Sequence, residues 1–310
     1  MAAPIHIAVP KTEVAPVPCS SPAAQMSFEY HPQFAFADAD VVLCSTEGTL
    51  YRVYSYTLKT TCGLFRTMFS LPQKLGVEAD SKTPEPIPIY EHDNVLEKIL
   101  CMIHGLPIPK WKSLDDLEQV LFLAEKWDAQ GPQDAIRAVL TSPQFLTEPL
   151  RVYILATHFD WEDEAKLASQ STLSLSLHDE THQPLLSRLS SKYLVPLLNL
   201  HRRRRDLFKE LLDSPERFTA GNSNPYHCSR CGVTQLENHS WRELKAAMFI
   251  EIDRCPLGDR IGSLDLASWP EAQACWVARC RKEGCGGLNY DKAATLRQIK
   301  NCLDQLPMTI

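Results

Sequence analysis

Asp38-Ala39-Asp40-Val41-Val42-Leu43-Cys44 runs into the polar turn Ser45-Thr46-Glu47-Gly48 and out again through Thr49-Leu50-Tyr51-Arg52-Val53-Tyr54. Extended, β-branched residues on both sides of a short polar turn read as a hairpin. From Ser55 the period changes: Leu58, Cys62, Phe65 and Phe69 recur at helical spacing with Lys59, Thr61 and Arg66 between them, which predicts one helix with an apolar face. Order is expected to begin near Phe34. The polar stretch Gln73 to Glu85 predicts an exposed loop, Ile87 to Tyr90 a short strand, and Val95 to His104 a helix ended by Gly105, with Asp93 as its cap. Ser113 with Asp116 has capping-box form and opens a helix on Leu114, Leu117, Leu121 and Ala124. Gly131-Pro132 is expected to break it, and Ala135, Ile136, Val139 and Leu140 mark one more helical segment. The reading is α+β: a small sheet with helices.

Beyond Pro149 the pattern is wholly helical, with helices predicted at Leu150 to His158, Glu162 to Leu177, His182 to Tyr193 and Leu197 to Leu212. The first residues differ again: Pro4, Pro10, Pro16, Pro18 and Pro22 stand among small residues in a linker-like, disordered tail. Near Asn222 the texture shifts to a segment with Cys228, Cys231, Cys255, Cys275, Cys280, Cys285 and Cys302. The expected organisation is therefore a tail at 1–30, an α+β domain at 31–145, a helical extension at 146–215, and a Cys-rich, mainly helical module at 216–310.

The chain has 310 residues, 32 basic against 38 acidic side chains and a formal charge of -6, which argues against a protein-wide field for nucleic acid or anionic membrane. No stretch approaches the roughly 20 apolar residues of a membrane span, and the N-terminus lacks the basic-then-apolar order of a secretory signal. An intracellular protein, of the cytoplasm or the nucleus, is expected. Eleven cysteines in such a protein are expected to be core thiols or metal ligands rather than disulfides.

The stretch Asp38 to Leu71, with Leu50-Tyr51-Arg52-Val53-Tyr54, Leu58 and Leu64-Phe65-Arg66-Thr67-Met68-Phe69, resembles the opening of the BTB/POZ domain. Ser113 to Leu117 and Ala124-Glu125-Lys126-Trp127-Asp128 look like the paired helices that close it. The whole layout, down to the arginine run and the cysteine-bearing tail, is similar to a group of fungal BTB proteins. The resemblance implies a non-enzymatic interaction module that associates with itself, with a cullin scaffold of a ubiquitin ligase, or with transcriptional co-regulators. Tyr54 and Ser55 stand where the family carries a His and a basic residue, while Asp40 keeps the acid of its charged pocket. Asp40 is then expected to cap or stabilise nearby backbone groups.

Two cysteine pairs carry the one chemical motif. Cys228 and Cys231 form C-x2-C, and Cys280 and Cys285 form C-x4-C followed by Gly286-Gly287. Both spacings let two thiolates meet one ion, and zinc takes four such ligands in a closed, structural tetrahedron. Pro270 to Arg279 is predicted as a helix with Gly284 as terminator, placing Cys280 in the last turn and Cys285 just past it. Against zinc stand the 48 residues between Cys231 and Cys280, and a helical subdomain with buried core thiols is the other reading. Cys255, Cys275, His227 and His239 are substitute ligands, and Cys302 lies on an apolar stripe with Leu296, Ile299, Leu303 and Leu306.

Other features have plainer readings. His201-Arg202-Arg203-Arg204-Arg205 precedes Asp206, Lys209, Glu210 and Asp213 on a helix, as a solvated, ion-paired face would. Asp160, Glu162, Asp163 and Glu164 match the acidic bias of a helix start. Ser169 to Ser176 reads as helix surface or termination. The leading expectation is a protein-interaction adaptor. The alternative is a zinc-dependent transcriptional regulator or nucleic-acid binder, disfavoured by only 11 basic against 10 acidic residues from Asn222 onward.

Overall fold

The computed structural model describes residues 29–72 and 85–310. The tail at 1–28 and nearly all of the 73–85 loop lie outside the described residues. The chain parts into two compact units, one ending at Glu97 and one beginning at Lys98.

In the first unit, strands β1 (Tyr30–Ala35), β2 (Val41–Cys44), β3 (Leu50–Val53) and β4 (Ile87–Pro88) form one sheet in the order β1-β3-β2-β4. The predicted hairpin is β2-β3, antiparallel, with Val41 opposite Val53 and Cys44 opposite Leu50. β1 runs parallel to β3 and β4 parallel to β2. β1 is an addition to the expected order. Phe34 is its one buried residue, so no alternation marks the strand. The single helix expected after the hairpin is two, α1 (Ser55–Thr61) and α2 (Gly63–Ser70), separated by an extended Cys62 at φ -128 and ψ 123. The break lets Leu58, Cys62 and Phe65 all turn inward, where each is at most 1% exposed.

Carboxylates of the hairpin set the helix starts. Asp40 Oδ1 accepts the Ser55 backbone N–H at 2.7 Å and Oδ2 accepts the Ser55 hydroxyl at 2.6 Å, which is the backbone-capping role expected of it. For α3 (Asp93–His104) the cap is not Asp93. Glu47, from the hairpin turn, accepts the Asp93 N–H at 3.1 Å, while the Asp93 carboxylate accepts the Thr49 hydroxyl at 2.7 Å and the Tyr51 hydroxyl at 3.0 Å. Partial desolvation opposes ionisation of Glu47, yet hydrogen bonds from His92, Thr46 and Asp93 hold its carboxyl down to about 2.

The second unit contains α4 (Leu114–Lys126), α5 (Gln130–Leu140), α6 (Pro149–His158), α7 (Glu162–Thr172), α8 (Gln183–Leu186) and α9 (Ser191–Asp213). Ser113 Oγ caps α4 by accepting the Asp116 N–H at 3.2 Å. Asp116 in turn meets Lys98 Nζ at 3.0 Å with both side chains buried. The break expected at Gly131-Pro132 falls earlier, where Asp128 takes φ 50. Gly131 and Pro132 then sit in the first turn of α5, where proline loses no helical hydrogen bond. The helix expected at 182–193 is reduced to a 3-10 turn and the four residues of α8. The helix expected at Leu197 instead begins at Ser191 and carries Pro196 inside it. In the stretch read as helix surface or termination, α7 does end at Thr172, but Ser169 and Thr172 are fully buried. The Thr172 hydroxyl donates to Ser169 O at 2.6 Å, which makes His201 Nε2, 3.1 Å away, the donor to it.

The arginine run is not wholly a solvated face. Arg202 and Arg205 are paired with Asp206, and Arg205 also with Asp253. Arg204 is 1% exposed and spans three backbone carbonyls: Nε donates to Pro256 O at 2.7 Å, Nη1 to Pro307 O at 2.6 Å and Nη2 to Leu257 O at 3.2 Å. One guanidinium thus fastens two later segments to α9.

The C-terminal part adds α10 (Thr219–Asn222), α11 (His239–Arg254), α12 (Asp259–Gly262), α13 (Pro270–Val277) and α14 (Lys292–Leu303). Phe208 and Leu212 of α9, Trp241, Leu244, Met248 and Ile252 of α11, Ala272 and Cys275 of α13, and Ile299, Cys302 and Leu303 of α14 share one buried core. Among the described residues no helix is long and apolar enough to cross a membrane.

Two outcomes follow from α9. Arg204→Met leaves three buried carbonyls without donors and is expected to cost on the order of 3 kcal/mol in urea unfolding, whereas Arg203→Met on the exposed face stays within about 0.5 kcal/mol. His201 is pushed from an ordinary 6.5 down to about 4 by burial, with His178 and Arg204 adding to the effect. Because the folded value lies below the unfolded one, its contribution is complete above about pH 6.5 and is lost as pH falls through 4, an effect on the order of 3 kcal/mol. Unfolding free energies across that window should flatten in His201→Gln.

Candidate metal centre

Two loops, separated in sequence by α11, α12 and α13, build the site. In the first, His227 bridges Gln235 in antiparallel fashion, Leu236 N–H donates to Tyr226 O at 2.8 Å, and Cys228 N–H donates to Thr234 O at 2.9 Å. This short ribbon carries Cys228 and Cys231 at its tip. Gly232 closes the turn by donating to Cys228 O at 2.8 Å, and its φ of 65 is a left-handed value that suits glycine. In the second loop Arg279 bridges Leu288, Cys280 N–H donates to Gly287 O at 2.8 Å, and Asn289 N–H donates to Ala278 O at 2.9 Å. Cys280 and Cys285 lie in the turn between those strands.

The sequence had placed Cys280 in the last turn of a helix ended by Gly284. The structure corrects this: α13 stops at Val277, Ala278 is extended at ψ 127, and the chain enters the second ribbon before Cys280. The ribbon's hydrogen bonds, made between residues several positions apart, replace those of a continuing helix.

The four Sγ atoms lie within 4.8 Å of one another. Cys228 Sγ is 3.8 Å from Cys285 Sγ, and Cys231 Sγ is 3.9 Å from Cys280 Sγ. These separations are far beyond a disulfide bond of about 2.05 Å. A tetrahedron with metal–sulfur bonds of about 2.3 Å has edges of about 3.8 Å, the spacing of these two pairs. Cys228 and Cys280 are buried, and Cys231 and Cys285 half-buried. The arrangement is a closed set of four soft donors that can hold a metal ion, with all four ligand positions supplied by the chain.

Backbone N–H groups face the sulfurs. Those of Cys231 and Arg230 lower the Cys228 thiol, and those of Thr234 and Val233 bring Cys231 down to about 5. The Gly287 N–H favours a thiolate at Cys285 too, but desolvation and the three neighbouring sulfurs prevail and hold it up at about 11. Four thiols packed together therefore cannot ionise together unless a cation compensates. Gly287 makes the close approach possible: a Cβ there would stand 3.0 Å from Arg230 Cβ and 3.4 Å from Cys228 Sγ.

The structure brings together all four cysteines named from spacing, and none of the substitutes joins them. Cys275 and Cys302 belong to the apolar core, where burial pushes the Cys275 thiol up to about 12. Cys255 Sγ faces the carbonyls of Leu173 and Ser174, and His239 pairs with Glu243 at 3.1 Å on the surface. The acidic group after His158 disperses as well. Glu162, Asp163 and Glu164 occupy the first turn of α7, and Glu164 holds Arg137 at 2.8 Å. The Gly286-Gly287 doublet after Cys285 was visible in the sequence, but the approach of Gly287 to Arg230 and Cys228 was not, because those residues lie far away in sequence. No protein-family model matches this sequence, and no curated protein matches it.

The donor set predicts a tetrahedral tetrathiolate spectrum on cobalt titration of the reduced full chain. Gly287→Val, which drives a branched side chain against Arg230 and Cys228, is expected to weaken cobalt binding by about tenfold or more, and Gly286→Asn to weaken it far less.

Proposed function

We propose that this protein is a non-enzymatic interaction adaptor whose C-terminal module is held together by a structural zinc ion. The observation that carries the reading is the cluster of the Cys228, Cys231, Cys280 and Cys285 sulfurs, all within 4.8 Å of one another and with separations of 3.8 and 3.9 Å for two pairs. All-cysteine donors select soft, tetrahedral ions, and with every position filled by protein the ion fastens a fold rather than activating water.

The adaptor half of the proposal rests on the first domain. The order β2-β3, then α1 and α2, then β4 and α3 to α5 agrees with the BTB/POZ resemblance from the hairpin onward. Tyr56, Leu71 and Tyr90 of that region are exposed at 76%, 59% and 81%, apolar side chains at the disposal of a partner. A cullin scaffold or a second copy of the chain is the partner class the resemblance implies. The alternative, a nucleic-acid-binding regulator, loses support because Arg204 is consumed inside the fold and Arg202 and Arg205 are ion-paired.

Protein purified without added metal is expected to hold about one zinc per chain, and a strong chelator to lower the melting temperature by about 10 °C or more, since zinc binding is coupled to folding. Zinc-free protein that melts at the same temperature with and without chelator would contradict the structural role. Co-elution of the full chain with purified cullin N-terminal domain, or concentration-dependent self-association, tests the adaptor role. Absence of both contradicts it.

A further inference from the structure

A cavity of about 740 Å³ lies beside the sulfur cluster, inside the range of about 300–1,000 Å³ in which ligand sites fall. Its base is aromatic: Phe218 lies tilted against Trp241 with ring centroids 4.8 Å apart, and Trp241 against Tyr290 at 6.3 Å. One wall comes from the cysteine loops, through Tyr226 and Ser229 of the first and Leu288 of the second, and another from the first turn of α14.

The charge at its mouth is opposite to that of the whole chain, which carries -6. Arg217 and Lys292 line the cavity, Arg217 with Nη2 donating to Gln305 Oε1 at 2.9 Å. Arg230 flanks it, next in sequence to Ser229 and with its stem against Gly287. Lys292 and Arg230 are exposed and have no ion pair among the described residues. Asp291 is the acid of the lining, and its carboxylate is already committed to the Ala294 N–H at 3.0 Å. An anionic group entering here meets Lys292 and Arg230, with Asp291 the one opposing charge of the lining.

We propose that this cavity binds an acidic peptide segment bearing one apolar side chain, which packs against Leu288 at the mouth while flanking carboxylates meet Lys292 and Arg230. The shape favours peptide over nucleic acid. The three rings are packed against one another at tilts of 32° and 33° and are 7%, 1% and 5% exposed, so they offer no open face for a base to stack on. Leu288, half-exposed at the mouth, suits an aliphatic or phenyl group. The inference rests on the metal reading, because Ser229 stands between two ligands and Leu288 follows the second loop, so the ion fixes that wall.

The test is a titration of the ¹⁵N-labelled full chain, its zinc content measured on the same sample, with the blocked peptide acetyl-Glu-Phe-Glu-amide and its neutral analogue acetyl-Gln-Phe-Gln-amide. The expected result is a saturable shift of backbone amides in 217–221 and 288–295. Binding should weaken about fivefold for the neutral peptide and in Lys292→Glu, and be unchanged in Arg203→Glu. Zinc-loaded protein whose amides do not move, or equal affinity for the two peptides, overturns this inference alone. Zinc-free protein with unmoved amides overturns it together with the metal reading. Tighter binding of a short single-stranded DNA at the same amides makes the cavity a nucleic-acid site and overturns the peptide assignment.

Discussion

Four sulfur atoms within 4.8 Å of one another impose the constraint on which the C-terminal part of this protein depends. Two thiolates about 4 Å apart repel by about 4 kcal/mol at an effective dielectric of 20, and a tetrahedron contains six such pairs. Kept as thiols, the same groups place weak donors against one another with little to gain. A divalent ion at the centre removes the conflict: it supports the thiolate form that the N–H groups of Arg230, Cys231, Val233 and Thr234 already favour. The zinc we propose is thus the counter-charge that this geometry calls for.

The rest of the module is arranged so that this contact can form. Helices α11, α12 and α13 fill the interval between the two cysteine loops, and their apolar faces meet α9 and α14 in one core. Trp241 anchors the start of α11, its indole N–H donating to Asn222 Oδ1 at 2.9 Å. Arg204 then joins the Pro256-Leu257 turn and the Pro307 segment to the middle of α9. Burying a guanidinium is unfavourable, as its lowered proton affinity records, and three carbonyl acceptors offset that cost. α9 therefore serves two environments, with His201 packed toward α7 and Phe208 and Leu212 in the core shared with α11 and α14.

What was legible in the sequence was local. The β2-β3 hairpin, the Ser113 cap and the two cysteine pairs are each defined by residues within a few positions of one another, and each was readable. The features that were not readable depend on distant partners. Glu47 displaces Asp93 as the cap of α3 only because the hairpin turn reaches that helix start. Cys62 interrupts the α1–α2 region because the core draws its side chain inward. Arg204 is indistinguishable from Arg203 in a run of four arginines, and only the position of Pro256, Leu257 and Pro307 singles it out. For the site, spacing named the four cysteines that the structure brings together but assigned Cys280 to the wrong element, since the ribbon pairing of Arg279 with Leu288 leaves no periodic trace.

Zinc-edge X-ray absorption on the full chain, purified under reducing conditions without added metal, tests the central claim most directly. The account predicts one shell of four sulfurs at about 2.3 Å with no nitrogen or oxygen neighbour. A spectrum dominated by nitrogen or oxygen, or no zinc edge at all, would contradict it.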